Sequence, residues 1–255
     1  MTVDEIWFRE RADDLKASVL FLTRLRFGPA VPVGGTQIAR AAWAFPIAGI
    51  LVGLVGALVY ALAYRAGLPA WPAAALAVAA TMAVSGCLHE DGLADTIDGF
   101  GGGGTRERKL DIMRDSRIGV YGVCALSLSV LLRVGALASL GAPSLAVPAL
   151  IAAHGAARGV MPLVMYFVPP ARADGLSAGA AAPPRESVAA AALLGFLILL
   201  LCLGLGIGLL ALIMLAIVTA LLAWLSLSQI DGQTGDVLGA LEQVSEIVIL
   251  LVALR

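Results

Sequence analysis

The sequence predicts an all-α integral membrane protein with about seven transmembrane helices and an N-terminal amphipathic helix. Two observations predict this class. The chain of 255 residues is 60% hydrophobic and only 14% charged, with a mean hydropathy of +0.94, whereas about a quarter of the residues of a soluble domain are charged. The apolar residues also form long runs, and about 20 such residues allow one helix to cross the hydrocarbon core of a bilayer.

Seven apolar runs are candidate spans. They cover residues 41–64, 71–88, 118–140, 148–168, 188–204, 208–227 and 237–254. The fifth and sixth belong to one continuous run about twice as long as a single span, and the glycines between Gly204 and Gly208 predict a turn there. Because no internal repeat is evident, we expect a single polytopic membrane domain over residues 1–255.

The segment before Phe27 differs from the rest of the chain. It carries five acidic and five basic residues with no uninterrupted apolar stretch, which argues against a secretory signal peptide. It predicts an amphipathic helix that lies on the membrane surface or packs against the bundle.

The three cysteines, Cys87, Cys124 and Cys202, lie in apolar surroundings without a CxxC or Cys/His pattern. We expect buried thiols, with no disulfide framework and no zinc site.

The distribution of basic residues predicts the orientation of the chain. If the N-terminus is cytoplasmic, 13 of the 17 lysines and arginines lie in cytoplasmic segments and two lie outside. This bias follows the positive-inside rule and places the N-terminus and residues 89–117 in the cytoplasm. With a net charge of −1 and no basic run, the expected partner is the lipid bilayer and not a nucleic acid.

The segment 89–117 concentrates acidic residues in an otherwise apolar chain. It contains seven acids, whereas residues 28–88 contain none. Five aspartates have helical spacing within two predicted helices: Asp91, Asp95 and Asp98 on the first, and Asp111 and Asp115 on the second. Carboxylates three or four residues apart share one helix face and repel one another.

A divalent cation would relieve this repulsion. Ligand sets made of oxygen alone suit Mg²⁺ or Mn²⁺ rather than zinc. We therefore predict that the five aspartates form a site for one or two Mg²⁺ ions, with Asp91, Asp95 and Asp98 as the catalytic group. The alternative is a solvated polar loop between two membrane helices.

Glycines and arginines extend the same segment. Five of the six residues from Gly99 to Gly104 are glycines, which would let backbone N–H groups approach an anion, although a flexible linker explains them equally well. Arg114 and Arg117 flank Asp115 and are predicted to bind a substrate phosphate, while basic residues here also serve as membrane anchors. The residues thus indicate Mg²⁺-dependent phosphoryl or nucleotidyl-type transfer.

Two stretches carry a resemblance to a known family. The sequence HEDGLADTIDG, which begins at His89, is followed by RERKLDIMRDSRIGVYG, which begins at Arg106. Together they resemble the signature of the adenosylcobinamide-GDP ribazoletransferase family, also called cobalamin-5′-phosphate synthase. FLTRLRFGP, FPIAGILVG, ARADGL and GQTGDVLGA resemble further family segments in the same order. One departure is Asp231, where members often have glycine.

The resemblance implies a reaction and a location. Adenosylcobinamide-GDP and α-ribazole, or its 5′-phosphate, would give adenosylcobalamin, or its 5′-phosphate, with release of GMP. This is a late step of cobalamin (vitamin B12) biosynthesis that requires Mg²⁺ and takes place in the bacterial inner membrane. Asp91 could then accept the proton of the attacking hydroxyl instead of binding metal.

Further residues are weaker candidates. His89 could act as a base or ligand, although a hydrogen-bonded histidine at a helix end is the more ordinary explanation. The resemblance singles out Gln233 and Asp236 as ligands, and Asp236 is equally suited to cap the last helix. Arg158 lies inside a predicted span, where it either pairs with an acid such as Glu246 or lines a substrate pocket.

Two other functions fit parts of the pattern. The pairs Asp95/Asp98 and Asp111/Asp115 resemble those of CDP-alcohol phosphotransferases, which would release CMP, but the gap between the pairs is shorter here and the Ala-Arg after the first pair is missing. A cation- or proton-coupled transporter would place its acids at mid-membrane, which only Glu242 and Glu246 favour. A membrane chain of this size could also form a homo-oligomer, although no pattern in the sequence indicates one.

Overall fold

The computed structural model describes residues 3–26, 34–172 and 182–255, and its regular elements within these ranges are helices. In chain order they are α1 (Val3–Leu22), α2 (Gly35–Ala41), a 3₁₀ turn (Ala42–Ala44), α3 (Phe45–Arg65), α4 (Ala70–Ser85), α5 (Leu88–Gly102), α6 (Arg106–Ile112), α7 (Val120–Leu140), α8 (Pro143–Phe167), α9 (Arg185–Ile230) and α10 (Gly235–Val252).

Four helical segments are long and apolar enough to cross a membrane: Gly35–Arg65, Val120–Leu140, Pro143–Phe167 and Arg185–Ile230. The helices α4 and α5 pass the same test only as a bent pair. These segments confirm the predicted class, an all-α multi-pass membrane protein. Each of the seven predicted spans coincides with a helix or with one arm of α9.

The long helix α9 is a hairpin of two arms. Gly204 has φ 75° and ψ 171°, which breaks the helix, and a Cβ added at Gly208 would lie 2.9 Å from the carbonyl oxygen of Leu199. Residues of both arms also line one apolar cavity of about 390 Å³ against α8. The chain therefore folds back on itself at Gly204, which confirms the turn predicted between the fifth and sixth spans.

A sharp bend separates α4 from α5. Two consecutive residues have left-handed backbone angles, Gly86 with φ 66° and Cys87 with φ 56°, and the axes of the two helices differ by 89°. Arg24 packs over Gly86, where a Cβ would lie 2.1 Å from the Arg24 Nε. After this bend, α5 packs along α7 and α10, with its first turn inside the bundle and its later part at the N-terminal end of α7.

The core of the bundle is α8 packed closely on α3. A Cβ at Gly49 would lie 2.2 Å from the backbone oxygen of His154, and one at Gly53 would lie 2.8 Å from that of Leu150. Small residues permit this approach of two membrane helices, whose association depends on van der Waals contact.

The N-terminal helix α1 packs against the bundle through its second half. Asp14 is fully buried there and bonds to Arg40 Nε at 2.8 Å and to Gln37 Nε2 at 3.1 Å. The first half exposes Trp7 and Phe8. Of the two placements predicted for this segment, the structure therefore shows packing against the bundle.

The prediction that all three thiols are buried is wrong. Cys87 and Cys124 are exposed and Cys202 is partly exposed, and all three are free. Apolar neighbours in sequence indicated the membrane, and a helix face in the membrane can point away from the protein interior.

Candidate active site

Three connecting segments meet at one end of the bundle. Arg106, at the start of α6, donates hydrogen bonds to the carbonyl oxygens of Ile230 and Ala171. The backbone of Gln233 donates to Pro169 and accepts from Ala171, both at 2.8 Å. The segment 89–117 therefore contacts both the α8–α9 connection and the α9–α10 turn. The rest of the Ala171–Leu176 stretch, beyond Arg172, lies outside the described residues.

The helix α5 reaches this end by direct backbone contact with α10. A Cβ at Gly92 would lie 2.8 Å from the backbone oxygen of Asp236 and 3.1 Å from the Cα of Gly239. Glycine at both contact positions allows the two helices to touch. The contact brings the α5 aspartates Asp91 and Asp95 beside Asp236, at the N-terminal end of α10.

Asp95 lies at the centre of these acids. It is half-buried on α5, which by itself is not long and apolar enough to span a membrane. Burial, followed by the negative charges of Asp91, Asp236 and Asp98, raises the pKa of Asp95 to about 7, and Arg172 offsets only part of this. Asp95 therefore lies in an acidic site whose negative charge Arg172 only partly balances.

Asp236 is held in place by two side chains. Its Oδ2 accepts a hydrogen bond from Arg172 Nη2 at 2.7 Å and another from Thr234 Oγ1 at 3.1 Å. The N-cap of α10 is Thr234, whose hydroxyl accepts from the Val237 N–H at 3.3 Å. Capping is therefore done by Thr234, which leaves Asp236 facing the α5 acids.

Asp98 has a different environment from the other α5 aspartates. It is buried, and its two oxygens accept hydrogen bonds from the N–H groups of Gly119 at 2.7 Å and Gly122 at 2.8 Å. These donors belong to the N-terminal turn of α7, which has no other side-chain cap. Asp98 therefore joins α5 to α7.

The predicted site residues that follow α5 do not form a compact group with the α5 aspartates. Asp111 is exposed on α6, and Arg114 is exposed in the loop that follows. Asp115 forms an ion pair with Arg117 at 2.5 Å within the same loop. The hydrogen bonds from Arg117 lower the pKa of Asp115 to about 2.

The glycine tract serves helix packing. The residues up to Gly102 belong to α5 itself. A Cβ at Gly99 would lie 2.5 Å from Met113 Cγ, and one at Gly103 would lie 2.8 Å from the backbone of Lys109. Glycine is therefore required where α6 folds back closely over the end of α5, and the interpretation as a flexible linker is wrong for these residues.

A second group of polar side chains is buried inside the bundle. Arg158 on α8 pairs with Glu242 on α10 at 2.5 Å, and Arg133 on α7 pairs with Glu90 on α5 at 3.0 Å. The predicted pairing of Arg158 with an acid is present, with Glu242 as the partner. The ring nitrogen Nδ1 of His89 lies 3.3 Å from Arg158 Nη2, so this histidine is part of the buried group.

Within the described ranges, one set of three side chains places possible metal ligands within 4.8 Å of one another: His154, Glu242 and Glu246. However, Arg158 Nη1 lies 2.5 Å from Glu242 Oε1 and 3.3 Å from His154 Nδ1. A guanidinium thus already supplies the positive charge at two of the three ligand atoms, so we do not interpret this set as a metal site.

Two pairings in the structure were not predicted from the sequence. The Glu90–Arg133 pair was not predicted, because Glu90 is not one of the aspartates with helical spacing and Arg133 lies more than 40 positions away. The Arg172–Asp236 pair joins the segment after α8 to the first turn of α10, which is distant in the chain. The only signal in the sequence was the presence of ionisable residues inside apolar segments, where they usually face one another.

Fold and site together define a multi-pass membrane protein with carboxylates and arginines gathered at one end of its bundle. Carboxylates and arginines of this kind are typical of the active sites of membrane-bound enzymes that act on phosphate esters. The chain belongs to the cobalamin-5-phosphate synthase family, which it matches over residues 14–254.

Named relatives are similar over nearly their whole lengths. The adenosylcobinamide-GDP ribazoletransferase of Bradyrhizobium diazoefficiens is 58% identical over 240 residues, which cover 94% of this chain and 92% of the relative. The protein of the same name from Mesorhizobium japonicum is 55% identical over 245 residues, covering 96% and 94%. That from Azorhizobium caulinodans is 46% identical, covering 93% and 94%. No solved structure matches the chain.

Proposed function

We propose that this chain is an adenosylcobinamide-GDP ribazoletransferase that acts late in cobalamin biosynthesis. It joins adenosylcobinamide-GDP to α-ribazole or its 5′-phosphate. A ribazole hydroxyl forms a new bond to the phosphoryl group that carries the cobinamide, the bond from that group to GMP breaks, and GMP leaves. The products are GMP and adenosylcobalamin or its 5′-phosphate.

The observation that carries this proposal is the family match over residues 14–254, with 58% identity to a relative of that name. The match includes both the acidic segment and the α9–α10 turn, which the fold brings into contact. A transporter is disfavoured because the α5 aspartates lie beside the N-terminal ends of α7 and α10 and not at the middle of the bundle.

The residues at this end suit a divalent cation. Asp91, Asp95 and Asp236 offer carboxylate oxygens only, which is the donor set that Mg²⁺ prefers. Burial and, after it, the negative charges of Asp91, Asp236 and Asp98 raise the pKa of Asp95, and a bound cation would offset both effects. We propose that Asp95 and Asp236 hold Mg²⁺, which when bound neutralises charge on the pyrophosphate and on departing GMP.

The chain's own residues would orient the reacting groups. Asp91 is the most exposed aspartate of α5, so it is placed to accept the proton of the ribazole hydroxyl. Arg172 fixes Asp236, and Asp98 fixes α5 against α7. Asp111 and Asp115 remain proposed ligands of a second ion, and Arg114 and Arg117 remain proposed phosphate contacts.

The pKa of Asp95 predicts how metal affinity depends on pH. Because the folded pKa is about 7 and the unfolded pKa about 4, the metal-free fold loses stability as pH rises between these values. Mg²⁺ must displace the proton below pH 7, so its affinity should rise about tenfold per pH unit up to pH 7 and then level off.

Titration of the protein in nanodiscs with Mn²⁺, followed by electron paramagnetic resonance between pH 5.5 and 8.5, measures this dependence. In Asp95→Asn the slope should disappear together with most of the affinity. An unchanged slope in that variant would show that another group carries the proton.

We also propose that the active-site end faces the cytoplasm of a bacterial inner membrane. The support is the bias of 13 basic residues against two, because lysine and arginine accumulate in cytoplasmic loops. The contacts of Arg106 with Ala171 and Ile230 support a common side for three of the segments in that count.

The function is tested with purified protein in lipid nanodiscs. Adenosylcobinamide-GDP, α-ribazole and Mg²⁺ are supplied, and GMP and the corrinoid product are measured with and without EDTA. We expect GMP release that depends on both substrates and stops with EDTA. No GMP from folded protein would refute the proposal, and CMP release from a CDP-alcohol would favour the other phosphotransferase class.

A further inference from the structure

The polar group inside the bundle connects four helices through two arginines. Arg133 on α7 lies 3.0 Å from Glu90 on α5 and 3.6 Å from Glu246 on α10. Arg158 on α8 lies 2.5 Å from Glu242 on α10. All five side chains are at least 95% buried. We call these five residues, together with His89 and His154, the buried ionic cluster.

Both arginines reach the first turn of α5. Arg133 does so through Glu90, and Arg158 through His89, whose Nδ1 lies 3.3 Å from the Arg158 Nη2 and 3.7 Å from Glu242 Oε2. His89 and Glu90 directly precede Asp91 in the chain. The cluster therefore joins the start of the helix that carries Asp91 and Asp95 to α7, α8 and α10.

The cluster is not explained by stability. It places three carboxylates and two guanidinium groups in an apolar bundle, and well-packed apolar residues often stabilise a fold as much as or more than a buried ion pair. Several buried atoms also lack hydrogen-bond partners, among them Glu90 Oε2 and Arg133 Nη2. What the ion pairs do provide is a defined relative position of the elements that carry them.

That position matters for the proposed active site. The α5 and α10 backbones touch at Gly92 and Gly239. Asp95 belongs to the first of these helices and Asp236 to the second. Rotation or sliding of α5 would change the distance between them. A shift of about 1 Å in a catalytic group can reduce a rate about 100-fold.

We propose that Glu90 and Arg133 are positioning residues, which hold the first turn of α5 so that Asp91 and Asp95 face Asp236. This inference rests on the proposed function for its effect on rate, while its effect on α5 itself does not depend on that function. Arg158 contacts the same turn through His89.

The two glutamates that face Arg133 provide a sharp test. Glu90→Gln and Glu246→Gln each replace a carboxyl group within 3.6 Å of the same arginine, Arg133, and both glutamates are at least 95% buried. They differ in the helix that they release, because Glu90 belongs to α5 and Glu246 to α10.

We expect Glu90→Gln to fold normally and to lower kcat about tenfold, with the KM of both substrates within twofold of wild type, because position and not binding is disturbed. Hydrogen exchange of amides in residues 88–102, measured by mass spectrometry without substrate or metal, should become about tenfold faster. Glu246→Gln should change both quantities at least fivefold less than Glu90→Gln does.

Equal effects of the two glutamine variants on exchange and kcat, or no effect of Glu90→Gln on either, would overturn the positioning role. If Glu90→Gln does not fold, Arg133→Lys replaces it, since this variant keeps the positive charge but cannot reach Glu90 and Glu246 with the same geometry. The two proposals can fail separately. If the wild-type protein never releases GMP, but Glu90→Gln still makes exchange faster in α5 alone, the proposed function is refuted and the anchoring of α5 is supported.

Discussion

Asp95→Asn is expected to lower kcat about 1,000-fold, which corresponds to about 4 kcal/mol of transition-state stabilisation. Asparagine keeps the shape of the side chain but removes the negative charge from the middle of the acidic site. The loss should appear in steady-state GMP release at saturating Mg²⁺. The same variant should be more stable than wild type in the absence of metal at pH 8, because burial and its neighbours penalise the Asp95 carboxylate there.

Glu107→Gln is the matched control for this prediction. Glu107 is an exposed acid of the same segment, and it lies 3.9 Å from Arg106, away from the α5–α10 contact. Its replacement should leave kcat within about twofold of wild type, as is usual for exposed ion pairs. If Asp95→Asn retained more than a tenth of wild-type kcat in folded protein, the metal site would have to be placed elsewhere, with Asp111 and Asp115 as the next candidates.

Gly92→Ala is expected to lower kcat/KM about 100-fold through geometry alone. The added methyl would lie 2.8 Å from the backbone oxygen of Asp236 and 3.1 Å from the Cα of Gly239, and backbone atoms cannot move aside as a flexible side chain can. The two helices must therefore separate, which changes the relation of Asp95 to Asp236. Overpacking of this kind also costs about 1–3 kcal/mol of stability.

Gly102→Ala makes the same substitution on the same helix. Its methyl would meet only the Cδ1 of Ile112 at 3.4 Å, an ordinary contact, so activity and stability should stay near wild type. Thermal unfolding in nanodiscs and substrate titrations measure both variants. Wild-type kcat/KM in Gly92→Ala would mean that the close α5–α10 contact is not needed for catalysis.

Local patterns in the sequence were sufficient to predict several features of this protein. Run length and hydropathy predicted the spans, because the thickness of the bilayer determines how many apolar residues a helix needs. Gly204 and its neighbours predicted the turn within the long run, and the spacing of Asp91 and Asp95 placed them on one helix face. The motifs also indicated the family, which the comparisons confirm.

The tertiary structure decided which predicted residues meet. Asp91 and Asp95 lie beside Asp236, which is more than 140 positions away in the chain. Asp111 and Asp115 are much nearer in the chain and remain outside this group. Asp98, although it shares the helical spacing, binds the N-terminal turn of α7. Spacing along one helix shows which side chains share a face, but it carries no information about the element that the face contacts.

The sequence alone thus determined the membrane class, the helical segments and the family, since each depends on patterns within about 25 consecutive residues. Only the tertiary structure decided the 89° bend before α5, the backbone contact at Gly92 and the pairing of Glu90 with Arg133. These features depend on how helices distant in the chain approach one another, and that approach is determined by the packing of all of them together.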